Sequence, residues 1–210
     1  MEKINWKLLI ITSMICLFPI LLGLIYYQDV PQSIAIHFDF HNNPDSYMDK
    51  NIVLFLFPIG LALMQIVCCI VSDLSKKNKH YKPKIEYVSK GIVPIISLSM
   101  YTITLMIALG NQLDVRLYVC FIISIIFIVV GNYIPKTTTY YLKSYFMIMD
   151  EKKQRQLTRW IGYSFVIFGI LLLVSLFMTA IYSVIVVVMI VIVLLTECGY
   201  FFMLSHKERI

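Results

Sequence analysis

His37, Asp39 and His41 occupy alternate positions in the stretch IAIHFDFH (Ile34–His41), which sits between two long apolar segments. Residues two apart share a face of an extended strand. Two imidazoles and a carboxylate therefore point one way, and Ile34, Ile36, Phe38 and Phe40 point the other. Three readings fit this pattern. The face could ligate a transition metal through His, Asp and His. It could be a solvated polar face. Or it could recognise a partner through titratable groups beside Phe38 and Phe40, with histidine making the contact pH-dependent. One strand seldom wraps an ion alone, so neither a metal nor another cofactor is expected.

Glu197, in LLTECGYFF, is the second candidate and the one charged residue expected well inside an apolar segment. A charge at the centre of a bilayer costs about 2.5 kcal/mol or more, so Glu197 should face the protein interior or carry a proton. It serves either as a proton site, with Gln65, Asn111, Asn132 or Arg116 as partners, or as a hydrogen-bonded packing residue. Catalytic signatures are missing: neither HExxH nor GxSxG occurs, so no enzyme is expected. Cys16, Cys68, Cys69, Cys120 and Cys198 all fall in apolar runs without a CxxC pair and read as packing residues.

The elements that position these residues follow from composition. Of 210 residues, 60% are hydrophobic and 14% charged, with mean hydropathy +0.82. That is too apolar for a soluble domain, and lipid is the implied solvent. Six runs are long enough to span: Trp6–Tyr27, Ile52–Val71, Gly91–Gly110, Leu117–Tyr133, Trp160–Met178 and Ile181–Leu204. The last two form one run of about 44 residues, roughly 66 Å as a helix, which is twice a bilayer core of about 30 Å. Two helices with a tight turn at Thr179-Ala180 fit better. The expected fold is an all-α integral membrane protein with six transmembrane helices and a short strand-like external loop.

Basic residues set the expected orientation. Lys50 and Arg116 are the two of the 18 Lys and Arg that lie on one side of the six spans; the others lie on the opposite side. By the positive-inside rule both termini are cytoplasmic and residues 29–51 form an external loop. The chain then divides into 1–72 (two spans and that loop), 73–90 (a polybasic cytoplasmic connector that includes Lys90), 91–134 (spans three and four), 135–159 (a basic cytoplasmic loop) and 160–210 (spans five and six with a tail). The external loop carries Asp29, Asp39, Asp45 and Asp49 against Lys50, and HNNPDS (His41–Ser46) reads as its turn. Its apolar strand face must rest on the membrane surface or on the outer helix ends. Tyr141, Tyr145 and Ile148 recur at helical spacing, as in an interfacial helix, and Glu151 and Arg155 suit a helix entering span five. The net charge of +6 is explained by topology and attraction to anionic lipid, without nucleic acid.

Val30–Pro58, VPQSIAIHFDFHNNPDSYMDKNIVLFLFP, resembles the loop-and-second-helix block of the SdpI family, bacterial membrane immunity proteins named for protection against a sporulation-delaying peptide toxin. Pro31, Ile34, His37, Phe38, Lys50 and Pro58 stand at matching places; Ala35 replaces a proline, and the central glycine near His41–Asn43 is missing. GNYIPK (Gly131–Lys136) and LTRWIG (Leu157–Gly162) resemble a second block, whose Gly-Ile-Arg-Thr-Pro-Trp core is replaced by LKSYFMIM (Leu142–Met149). The resemblance implies a protein of the bacterial cytoplasmic membrane that binds and neutralises a membrane-active peptide toxin. The expected ligand-binding residues are His37, Phe38, Asp39, His41, Asp45 and Lys50. It also implies docking of a cytoplasmic repressor, with Lys136, Lys143, Arg155 and Arg159 as the expected contacts. The competing reading is a small proton-coupled transporter or export accessory protein using Glu197.

Overall fold

The computed structural model describes residues 4–39, 41–74, 83–136 and 151–207. Among the described residues six helical segments are long and apolar enough to cross a membrane: Trp6–Ile25, Ile52–Leu74, Glu86–Ala108, Val115–Lys136, Arg155–Ser175 and Ala180–Glu197. The expected architecture is thus present. Large apolar side chains such as Leu63, Val67, Ile167 and Leu195 face outward, as lipid contact requires.

Span 1 is two helices, α1 (Trp6–Leu17) and α2 (Pro19–Ile25), broken where Pro19 has no N–H to donate. Next come β1 (Ser33–Phe38), β2 (Pro44–Asp49) and a π-helical turn (Ile52–Leu56) that opens α3 (Phe57–Leu74). The remaining helices are α4 (Pro83–Ala108), α5 (Val115–Tyr133, ending in a 3-10 turn, Ile134–Lys136), α6 (Glu151–Ser175) and α7 (Ala180–Lys207). Span 2 runs past Val71, and span 3 begins before Gly91. Both extensions carry charged residues, Asp73, Glu86 and Lys90, that find partners inside the protein. Lys90, expected on the connector, is therefore inside a helix and 2% exposed. Glu151 and Arg155 both lie in helix α6, as their spacing suggests, and the turn between α6 and α7 falls at residues 176–179. The proposed interfacial helix at Tyr141–Ile148 lies outside the described residues.

The chain forms two compact units, 1–75 with 86–122, and 76–85 with 123–210. In the first unit the apolar face of the hairpin joins the core: Val30 and Ile34 pack with Val53, Leu54, Tyr101 and Leu105. Of the two expected supports for the strand, this is the helix ends. In the second unit α5 and α6 approach through glycines. A side chain on Gly162 would meet the Gly131 carbonyl at 2.7 Å and Pro135 Cγ at 2.6 Å, and one on Gly169 would meet the Ser124 carbonyl at 2.8 Å. Phe127 stacks on Phe165 between these contacts, with centroids 4.8 Å apart.

Candidate functional site

The stretch expected to be a single strand is the first arm of an antiparallel hairpin. β1 pairs with β2 with Ile34 opposite Met48 and His37 opposite Ser46, and the register slips on both sides of His37. β1 stops at Phe38 because the next residue builds the turn. Asp39 Oδ1 accepts the backbone N–H of His41 and of Asn43, each at 2.8 Å, and Asn43 Nδ2 donates to Oδ2 at 3.3 Å. The Asn43 amide, foremost, holds the Asp39 carboxyl below the usual carboxylate range. His41 therefore belongs to the turn, and His37, Asp39 and His41 do not continue as one strand face.

His37 turns across the hairpin to Asp45, Nδ1 to Oδ1 2.6 Å, with both side chains largely exposed. A carboxylate only accepts, so Nδ1 carries the hydrogen. His41 is the most open of the set at 85%, with Nδ1 3.9 Å from Asp39. Phe38 is half-buried, and Phe40 lies outside the described residues. Lys50 is committed elsewhere: its ammonium lies 4.1 Å from the centre of the Tyr27 ring and donates to the Tyr27 carbonyl at 3.3 Å. Among the described residues no three His, Cys, Asp or Glu side chains gather as a metal site. Of the six residues expected to bind a ligand, His37, His41 and Asp45 remain presented outward; Asp39 and Lys50 chiefly hold the hairpin together.

Asn42 was not singled out by sequence, yet it anchors the hairpin tip. Its backbone is left-handed, φ +64°, a conformation asparagine tolerates. Its Nδ2 donates to the Leu113 carbonyl and its Oδ1 accepts the Val115 N–H, both at 2.9 Å. The second bond caps the start of α5. Asp29, Asp39, Asp45, Asp49 and Asp114 then face this end of the unit against Lys50 and Arg116, and Arg116 is 3.7 Å from Asp114.

Beneath the hairpin a cleft of about 160 Å³ is lined by Ile36 of β1, Phe57 and Pro58 of α3, and Met100, Tyr101 and Thr104 of α4, with Ser97 deeper in the wall. Pro58 has no N–H for the Leu54 carbonyl four residues back; the Tyr101 hydroxyl donates to it instead at 3.4 Å. A side chain on Gly23 would collide with that hydroxyl.

At the opposite end of the same three spans lies a buried ionic cluster. Lys90 Nζ is 2.7 Å from Asp73 Oδ1 and 2.8 Å from Glu86 Oε1, with all three side chains at most 8% exposed. Asn5 ties it to span 1: its backbone N–H donates to Asp73 Oδ2 at 2.9 Å and its Nδ2 to Glu86 Oε1 at 3.2 Å. The Glu86/Lys90 spacing was the sequence signal for this contact. Gln65 sits deeper, donating to the Lys90 carbonyl at 2.8 Å and to Thr12 at 2.9 Å.

Glu197 is half-buried in α7, and Oε1 accepts from the Ser164 hydroxyl of α6 at 2.6 Å. Its Oε2 is buried and meets no hydrogen-bond partner among the described residues. The partners expected for it are bonded elsewhere: Gln65 as above, Asn111 to the Met106 carbonyl, Asn132 to Lys136 and Arg116 to Asp114. On the other expected surface, Lys136 lies 5.0 Å from the Tyr133 ring centre, and Arg155 and Arg159 are exposed on α6; Lys143 lies outside the described residues.

Residues 14–62 match the family described as a domain of unknown function (DUF1648). That stretch holds the break in span 1, the whole hairpin and the first turns of span 2. No curated protein and no solved structure matches the chain.

Proposed function

We propose that this is an immunity or sensor protein of a bacterial cytoplasmic membrane, with both termini cytoplasmic, that binds and neutralises a membrane-active cationic peptide at its outer face. The reading starts from the resemblance to the SdpI family over Val30–Pro58. The observation that carries it is the seating of the hairpin. A loop that served only as a connector would not need Ile34 in the core, Asn42 capping α5 and Asp39 ordering the turn. Those contacts support a hairpin that presents His37, Asp45 and His41 outward, at an end of the unit that carries five carboxylates counting Asp45, and a peptide bearing Lys or Arg is the complementary ligand. Occupancy of the hairpin neutralises the peptide, and a cytoplasmic repressor docks through the basic residues Lys136, Lys143, Arg155 and Arg159.

The test is survival of a sensitive bacterium carrying the chain and challenged with membrane-active peptides. A His37→Ala/Asp45→Ala/His41→Ala variant at matched membrane abundance is expected to lose protection while Glu197→Gln keeps it. The second reading, proton-coupled transport, is favoured by one observation, the buried Oε2 of Glu197 without a hydrogen-bond partner among the described residues. It expects the reverse: loss on Glu197→Gln and little effect from the hairpin variant.

A further inference from the structure

We infer that the cleft beneath the hairpin is a recognition pocket for a single aromatic side chain, flanked by a basic residue, of the peptide ligand; this rests on the peptide-binding reading above. Size is the first argument. A volume of about 160 Å³ is small for a drug-sized molecule, but an apolar cavity of about 150 Å³ takes a benzene ring. The second argument is the wall. Ile36, Phe57, Pro58 and Met100 give it an apolar lining, while Ser97, Tyr101 and Thr104 add hydroxyls. The Ser97 hydroxyl donates to the Cys16 carbonyl at 3.5 Å and the Tyr101 hydroxyl to the Leu54 carbonyl at 3.4 Å, and a hydroxyl oxygen that donates still carries two lone pairs. An indole N–H or a phenol O–H meets such a wall; a lipid acyl chain leaves it unused.

Position and charge supply the rest. Ile36, the hairpin's contribution to the cleft, precedes His37, which holds the half-exposed Asp45. The acidic side chains of this end of the unit, Asp45 among them, complement a Lys or Arg flanking the ring. The π-helical turn Ile52–Leu56 belongs to the same design. It carries the chain from the hairpin into α3 immediately before Phe57 and Pro58, and single π-turns in helices are frequent at functional sites.

The probe is the amidated tripeptide Lys-Trp-Lys carrying 5-fluorotryptophan, read by fluorine NMR against the full chain in zwitterionic lipid nanodiscs. Saturable binding is expected, with Lys-Ala-Lys failing to compete. Thr104→Phe and Met100→Phe, which fill the cleft from different turns of α4, should each weaken binding at least about tenfold, and Asp45→Asn should weaken it less. Only variants whose thermal unfolding matches wild type are scored. Equal binding to wild type and both filled variants overturns the assignment, as does no saturable binding. A phospholipid retained by wild type and lost from both filled variants, without tripeptide binding, makes the occupant an acyl chain and also overturns it. The survival assay separates the two claims. Wild-type protection that persists in both filled variants sinks the pocket and leaves immunity standing; tripeptide binding without protection against any peptide supports the pocket and sinks immunity.

Discussion

The Gln65 side-chain amide donates to the Lys90 carbonyl across 2.8 Å, from span 2 to span 3. That carbonyl is available because Pro94, four residues on, has no N–H to give it. The same solution recurs near the hairpin, where the Tyr101 hydroxyl of span 3 serves the Leu54 carbonyl released by Pro58 of span 2. In lipid no water can take these positions, so a neighbouring helix must. Gln65 and Tyr101 thus join the first three spans where proline has opened a backbone bond.

Gln65→Leu should lower stability by about 1–3 kcal/mol, because it strands the Lys90 carbonyl in an apolar interior. With Pro94→Ala present, the backbone at that position regains the missing N–H and the same change should cost clearly less. Thermal unfolding of the four members of this double-mutant cycle in detergent checks the coupling; strict additivity would contradict the account.

Lys90→Met should be more damaging, about 3–5 kcal/mol, because it takes the shared ammonium from two buried carboxylates. Lys90→Met combined with Asp73→Leu and Glu86→Leu should recover part of that loss, since replacing a whole buried ionic cluster with apolar groups is often near neutral. Recovery is read as a rise in the unfolding midpoint of the triple variant above that of Lys90→Met alone.

These contacts mark where the sequence stopped being legible. The spans could be read because a run of about 20 apolar residues has one economical fate in lipid. β1 could be read from its period of two. β2 could not: PDSYMD begins with proline and shows no apolar alternation, and its pairing depends on Asp39 closing the turn and Ile34 entering the core. Lys90 reads as one more base in a lysine-rich connector until Asp73 of the preceding span is brought within 2.7 Å. Asp39 looks like a ligand by type and spacing, and its local backbone geometry makes it a turn residue. Charge type was visible in each case; what each charge touches was not.

Acid should loosen the hairpin turn. Hydrogen bonds, led by the Asn43 N–H, hold the Asp39 carboxyl below its usual value of about 3.9. A group with a depressed folded-state value contributes fully above the unfolded value, and that contribution is lost as pH falls through the folded value. Hydrogen-exchange protection of the Asn43 amide should therefore be flat above about pH 5 and decline in acid below about pH 4. Asp39→Asn, which has no carboxyl to titrate, should flatten the profile; an unchanged acid decline in that variant would assign the effect to another group.

Asn42 combines two requirements that substitutions can separate. Asn42→Gly keeps the left-handed backbone and loses both side-chain bonds, to Leu113 and Val115. Asn42→Ala loses the bonds and adds backbone strain of about 1–2 kcal/mol. Proteolytic nicking of the hairpin should rise in the order wild type, Gly, Ala, and exchange of the Val115 amide should accelerate in both variants.

In the second unit the seam between α5 and α6 joins the two motifs GNYIPK and LTRWIG through Gly131 and Gly162. The backbones are close enough that a methyl group at either position meets main-chain atoms, Pro135 or the Phe165 Cβ at 2.6–2.8 Å, with no flexible side-chain end to yield. Gly162→Ala and Gly131→Ala should each force the helices apart and cost about 1–3 kcal/mol, the range for overpacking a tight interior. Gly60→Ala, at a position with open space around it, is the control and should be neutral or slightly stabilising in the helix. The outcome is read as unfolding temperature in detergent. A Gly162→Ala protein as stable as wild type would mean that the α5–α6 seam opens at little cost, and the close approach of the two motifs would not be what holds this unit together.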